Sequence, residues 1–86
     1  MKIKYAKIAL KAMKGYEAQI QARIREKING LTQTPPVGDI KPLQGYENQC
    51  WLRIGKYCVI FEYAMQGGFK TLIINKIDSR GGIYKE

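Results

Sequence analysis

The fold is decided by residues 50–63, which read CWLRIGKYCVIFEY. Gly55 and Lys56 form a two-residue loop, and glycine at its first position favours a type II′ hairpin turn. The turn fixes the register of two antiparallel strands and places Arg53 opposite Cys58. One face of this hairpin is then almost entirely apolar and carries Cys50, Leu52, Ile54, Tyr57, Val59, Phe61 and Tyr63. That face is predicted to form the core.

The opposite face of the hairpin is mixed, carrying Trp51, Arg53, Cys58, Ile60 and Glu62. We expect any functional site to lie on this face, left uncovered by helices. Arg53 either extends its charged end to solvent along the apolar strand, pairs with a carboxylate such as Glu62, or presents its guanidinium to an anion. Trp51 suits stacking on a nucleobase or packing against a partner chain or the C-terminal tail. Cys58 is not expected to be a nucleophile, because the chain has no histidine to activate a thiol.

The remaining sequence predicts an α+β fold in the order β-α-α-β-β-β. Residues 2–6 alternate as a short strand, and residues 7–14 are helix formers that stop at Gly15. A second helix carries the apolar stripe Ile20, Ile24, Ile28 and Leu31, and KTLIINKI at 70–77 forms the last strand. We expect residues 1–86 to form a single domain. A two-helix hairpin should pack on one face of a mainly antiparallel four-stranded sheet, followed by a short basic C-terminal tail.

Charge points to an anionic partner. Fifteen Lys and Arg against seven Asp and Glu give a net charge of +8, and without histidine this charge hardly changes between about pH 5 and 8. The two cysteines form no metal motif, so neither a metal nor another cofactor is expected. No apolar run is long enough for a membrane span or a signal peptide, which predicts no membrane partner and a cytoplasmic, reducing setting.

The acidic residues outside the second helix and the C-terminus show no spacing typical of a two-carboxylate or Mg²⁺ site. If the protein cleaves a phosphodiester, the sequence therefore favours a route in which the 2′-hydroxyl of RNA attacks and Arg and Lys stabilise the transition state. Arg80, just beyond the last strand, is a candidate anion contact. Tyr84 suits either packing on the sheet or stacking and proton transfer.

Residues 42–63, PLQGYENQCWLRIGKYCVIFEY, and the terminal RGGIYK at 80–85 resemble the RelE/ParE toxin superfamily. The resemblance covers the whole chain and implies a toxin of a type II toxin–antitoxin system. RelE-like members are ribosome-dependent mRNA endonucleases, whereas ParE-like members inhibit DNA gyrase without nuclease activity. Both kinds are held inactive by an acidic, partly disordered antitoxin, which a chain of charge +8 would complement.

The resemblance also implies roles for individual residues. Arg53 and Arg80 would hold the phosphate and stabilise its transition state, and Tyr84 would orient or deprotonate the 2′-hydroxyl. The remaining substrate-binding candidates are Trp51, Lys56, Cys58 and Lys85.

Two positions depart from the family pattern. Trp51 stands where a basic residue is frequent, and Cys58 stands where the family usually has arginine. Losing one donor to a developing oxyanion costs about 2.7–4 kcal/mol, although Lys56 in the turn is a candidate to compensate. The sequence thus leaves open an attenuated nuclease, or a degenerate toxin that only binds its antitoxin.

Overall fold

The computed structural model describes residues 1–79, which form two helices and five strands. In chain order these are β1 (Lys2–Tyr5), α1 (Lys7–Lys14), α2 (Ala18–Gly30), β2 (Asp39–Pro42), β3 (Cys50–Ile54), β4 (Tyr57–Gln66) and β5 (Phe69–Ser79). The predicted α+β class is confirmed. So is the predicted order of elements: a strand, two helices, a β-hairpin and a final strand. Arg80, Tyr84 and Lys85 lie outside the described residues.

The strands form one sheet in the order β1-β5-β4-β3-β2. β1 runs parallel to β5, and the other neighbours are antiparallel. The predicted count of four strands is wrong by one, because β2 adds an edge strand beside β3. β2 contains one apolar residue, Ile40, and ends at Pro42, which an edge strand tolerates because one side needs no ladder hydrogen bonds.

Both helices pack on the same face of the sheet. Ala9 and Met13 of α1 and Ile24 and Ile28 of α2 are buried in one core cluster with the apolar face of the sheet. The sheet contributes Leu52, Ile54, Val59, Phe61, Leu72, Ile74 and Ile77 to this core. The predicted core face is confirmed, and each of these large side chains contributes about 1.5–3 kcal/mol through burial.

The end of α2 is fixed by one contact with the sheet and one with the loop that follows the helix. The Tyr63 hydroxyl donates a 2.6 Å hydrogen bond to the Leu31 carbonyl, and burial, followed by the nearby Cys50, raises the pKa of Tyr63. The Val37 N–H donates to the Gly30 carbonyl at 2.9 Å. The loop after α2 therefore folds back on the last helical turn.

The β3–β4 turn has the predicted form and register. Gly55 has a φ of +57°, whereas Lys56 has no positive φ, which fits type II′ and excludes the type I′ turn that needs positive φ at both positions. Arg53 pairs with Cys58, as predicted.

Candidate nucleic-acid interface

The face of the sheet that points away from the helices, here called the outer face, is organised in rows across the strands. The first, the arginine row, consists of Asp39, Arg53, Cys58 and Asp78. The second, the tryptophan row, consists of Lys41, Trp51, Ile60 and Lys76. Adjacent strands lie about 4.8 Å apart, so each row spans about 14 Å.

Arg53 is exposed on β3, with an acidic neighbour on one side and an uncharged neighbour on the other. On β2 its partner is Asp39, and on β4 its partner is Cys58. The carboxylate suggested by the sequence, Glu62, instead accepts a 3.3 Å hydrogen bond from Asn75 Nδ2. The acidic neighbour of Arg53 is thus Asp39, on the strand that the sequence did not reveal.

Cys58 was expected to lie on the uncovered face of the hairpin, exposed to solvent. That expectation is wrong. Its side chain is 0% exposed, yet it is absent from the cluster that packs against the helices. Strand alternation predicted the direction of the Cys58 side chain but not its burial, because alternation says nothing about what covers a face. Its role as a substrate contact remains a prediction.

The tryptophan row combines an aromatic ring with two lysines. Lys41 Nζ lies 5.9 Å from the centroid of the Trp51 ring, within the range of a cation–π interaction. Lys76 lies opposite Ile60 at the other end of the row. Trp51, Ile60 and Lys76 are partly buried, whereas Lys41 is exposed. Neither lysine was predicted as a site residue.

The β3–β4 turn carries a further group of cations. Lys56 is exposed in the turn, and α2 brings a second cation there: a Cβ added to Gly55 would lie 3.3 Å from Arg23 Nη2. The last described residue of β5, Ser79, pairs with Tyr57 at the same end of the sheet. Arg53, Lys56 and Arg23 thus give this end of the protein a cationic character.

Other kinds of site find little support in residues 1–79. No cluster of three or more His, Cys, Asp or Glu side chains is placed there to hold a metal ion. No helix in this part of the chain is long and apolar enough to cross a membrane.

The fold is similar to that of known toxins. It matches a chain of the RelB-RelE antitoxin-toxin complex from Methanococcus jannaschii with a TM-score of 0.69 and 27% identity, covering 94% of each chain. A match to the RelE-RelB complex from Pyrococcus horikoshii has a TM-score of 0.68 and 26% identity, covering 93% of this chain and 94% of the other.

A third structure, a YoeB/ParE toxin from Agrobacterium tumefaciens, shares the fold with a TM-score of 0.76 at 16% identity, covering 92% of this chain and 98% of the other. No protein-family model and no curated protein matches the sequence. The two archaeal matches nevertheless combine the same fold, more than a quarter sequence identity and nearly complete coverage of both chains. These matches support assignment of the chain to the RelE/ParE toxin superfamily.

Proposed function

We propose that the chain is the toxin of a type II toxin–antitoxin system and that it cleaves mRNA on the ribosome without a metal. The observation that carries the proposal is the outer face, where cations from three strands and an aromatic ring lie on the side of the sheet opposite the helices. Basic grooves with aromatic side chains are typical of proteins that bind single-stranded nucleic acids.

The proposed reaction uses the substrate's own 2′-hydroxyl. Its oxygen attacks the adjacent phosphorus while the bond to the 5′-oxygen breaks, leaving a 2′,3′-cyclic phosphate and a 5′-hydroxyl. One proton leaves the 2′-oxygen and one is gained by the 5′-oxygen, so neither water nor a redox partner is consumed. Arg53 and Arg80 stabilise the extra charge on the phosphorane, and Tyr84 orients the 2′-hydroxyl or accepts its proton.

The test is a reconstituted translation reaction in which cleavage of a defined mRNA is mapped by primer extension. Cleavage should require translation and should fall about 10²–10³-fold in Arg53→Ala and in Arg80→Ala, the effect of removing one transition-state donor. Lys27→Ala, on the exposed side of α2, is the matched loss of one cation and should retain activity. Full activity in both arginine variants would show that the site assignment is wrong.

A second candidate is a protein that binds its antitoxin but has lost toxicity. Two observations favour it: Cys58 is fully buried where the family usually has arginine, and Asp39 lies opposite Arg53. It predicts normal growth on expression, intact mRNA and an undisturbed gyrase reaction. A supercoiling assay with purified protein belongs in the same experiment, because inhibition with intact mRNA would instead indicate a ParE-like gyrase inhibitor.

We also propose an acidic antitoxin as the partner. Lys7, Lys11 and Lys14 are exposed on α1, and the chain carries a net charge of +8. Similar structures were solved as RelB-RelE antitoxin-toxin complexes. The partner is expected to be a short acidic protein encoded in the adjacent reading frame, and coexpression with it should give a complex whose association rate falls as salt is raised. Failure to copurify at low salt would contradict this assignment.

A further inference from the structure

β5 changes its side-chain phase in the middle of the strand. Ile74 and Ile77 both lie in the core, although residues three apart in a regular strand point to opposite faces. The pairing with β4 explains this, because Ile60 faces Lys76 whereas its neighbour Phe61 faces Ile74. One extra residue, Asn75, is therefore accommodated in β5 as a bulge.

The bulge brings two consecutive residues of β5 to the outer face. Asn75 Nδ2 donates a hydrogen bond to Glu62 Oε2, which fixes the bulged residue and engages the nearest carboxylate of β4. Lys76 then lies opposite Ile60, in the tryptophan row. Without the bulge, a regular strand in phase with Ile74 would turn Lys76 to the core and Ile77 to the outer face.

The two rows differ in charge. The arginine row has one cation, Arg53, and two carboxylates, Asp39 and Asp78. The tryptophan row has two cations, Lys41 and Lys76, and no carboxylate. Excess positive charge on this part of the sheet therefore lies along the tryptophan row rather than along the arginine row.

We propose that the tryptophan row is the track that binds the RNA backbone, with phosphates at Lys41 and Lys76 and a base against Trp51. This inference rests on the proposed RNA-directed function and assigns the substrate contacts within it. The lysines lie at the ends of a row about 14 Å long with the aromatic ring between them. This arrangement suits a short single-stranded segment, held by charge at the phosphates and by stacking at a base.

The experiment measures binding of a labelled, unstructured 2′-O-methyl RNA to the full-length protein by fluorescence anisotropy. The methyl groups block the 2′-oxygens, so binding is observed without cleavage. Lys41→Ala and Lys76→Ala should each weaken binding about tenfold at low salt and reduce the slope of log K against log salt by about 0.7. Lys27→Ala on α2 is the matched control on the helical side and should leave both quantities near those of the parent.

Three other outcomes overturn the inference in distinguishable ways. If Lys76→Ala binds like Lys27→Ala while Arg53→Ala is weakened, the arginine row binds the backbone and the RNA-directed function stands. If Lys41→Ala, Lys76→Ala and Arg53→Ala all bind RNA like the parent but the parent cleaves mRNA, the RNA backbone binds elsewhere on the protein. If the parent binds no RNA even at low salt, the inference and the proposed function both fail.

Discussion

The bulge in β5 can be tested by removing one residue from it. Deleting Asn75 leaves Ile74 facing the core, Lys76 facing outward and Ile77 facing the core, which is regular alternation. Deleting Lys76 leaves the same pattern with Asn75 in the outward position. Both deletions should therefore fold, and they differ in whether a cation remains in the tryptophan row.

The expected free energies follow from the contacts. Deleting Asn75 removes its hydrogen bond to Glu62 and should cost about 0.5–1.5 kcal/mol, and deleting Lys76 should cost no more. Deleting Ile73, two residues away, is the control. It would turn Ile74 outward and place Asn75 in the core. Emptying a large apolar site costs about 2–5 kcal/mol, so this deletion should destabilise the protein by at least that amount.

Urea unfolding, followed by the fluorescence of the single tryptophan, measures these differences in stability. Fluorescence anisotropy with the labelled RNA measures how the loss of the cation changes RNA affinity. The Asn75 deletion should retain parental RNA affinity, whereas the Lys76 deletion should lose about as much as Lys76→Ala. If deleting Asn75 destabilises the protein as strongly as deleting Ile73, the assigned phase of β5 is wrong. Equal RNA affinity of the two bulge deletions would refute the role of Lys76.

Three further predictions concern stability. Tyr63→Phe removes the donor to the Leu31 carbonyl and should lower the unfolding free energy by about 1 kcal/mol, seen as a decrease in Tm of about 4–8 °C. Gly30→Ala should destabilise by about 1–3 kcal/mol in urea despite the better helix propensity of alanine, because its Cβ would lie 2.7 Å from the Val37 carbonyl oxygen; a stabilised variant would contradict that approach. Stability should fall above about pH 10, where tyrosines ionise more readily in the unfolded chain than in the folded one; a flat profile from pH 10 to 11 would contradict this. Burial is the main cause of the raised pKa of Tyr5, Tyr16 and Tyr63.

The parts of the fold that were predictable depend on local signals. Gly55 at the turn sets the hairpin register, and the spacing of Ile24 and Ile28 marks the buried side of α2. β2 has no comparable signal, because a strand with one apolar residue and a terminal proline forms only where β3 offers an edge. Asp39 and Lys41, and with them the charge balance around Arg53, were therefore invisible in the sequence.

The phase of β5 was also beyond the sequence. Ile73, Ile74 and Ile77 are all apolar, so alternation alone allows Ile73 and Ile77 to share one face. Packing against the helices selects Ile74 and Ile77 instead, and the bulge follows from that choice. Lys76 was accordingly not recognised as a site residue.

The resemblance implies an arginine at the position of Cys58, and the sheet geometry shows which cation lies near that position instead. Cys58 pairs with Asp78, and Lys76 lies two residues before Asp78 on the same face, so Lys76 is the diagonal neighbour of Cys58, about 7–8 Å away. A long side chain spans that distance. The outer face thus carries a cation near Cys58, on β5 and in a row that holds no carboxylate. Cys58 on its own therefore does not argue for a protein that has lost its affinity for RNA.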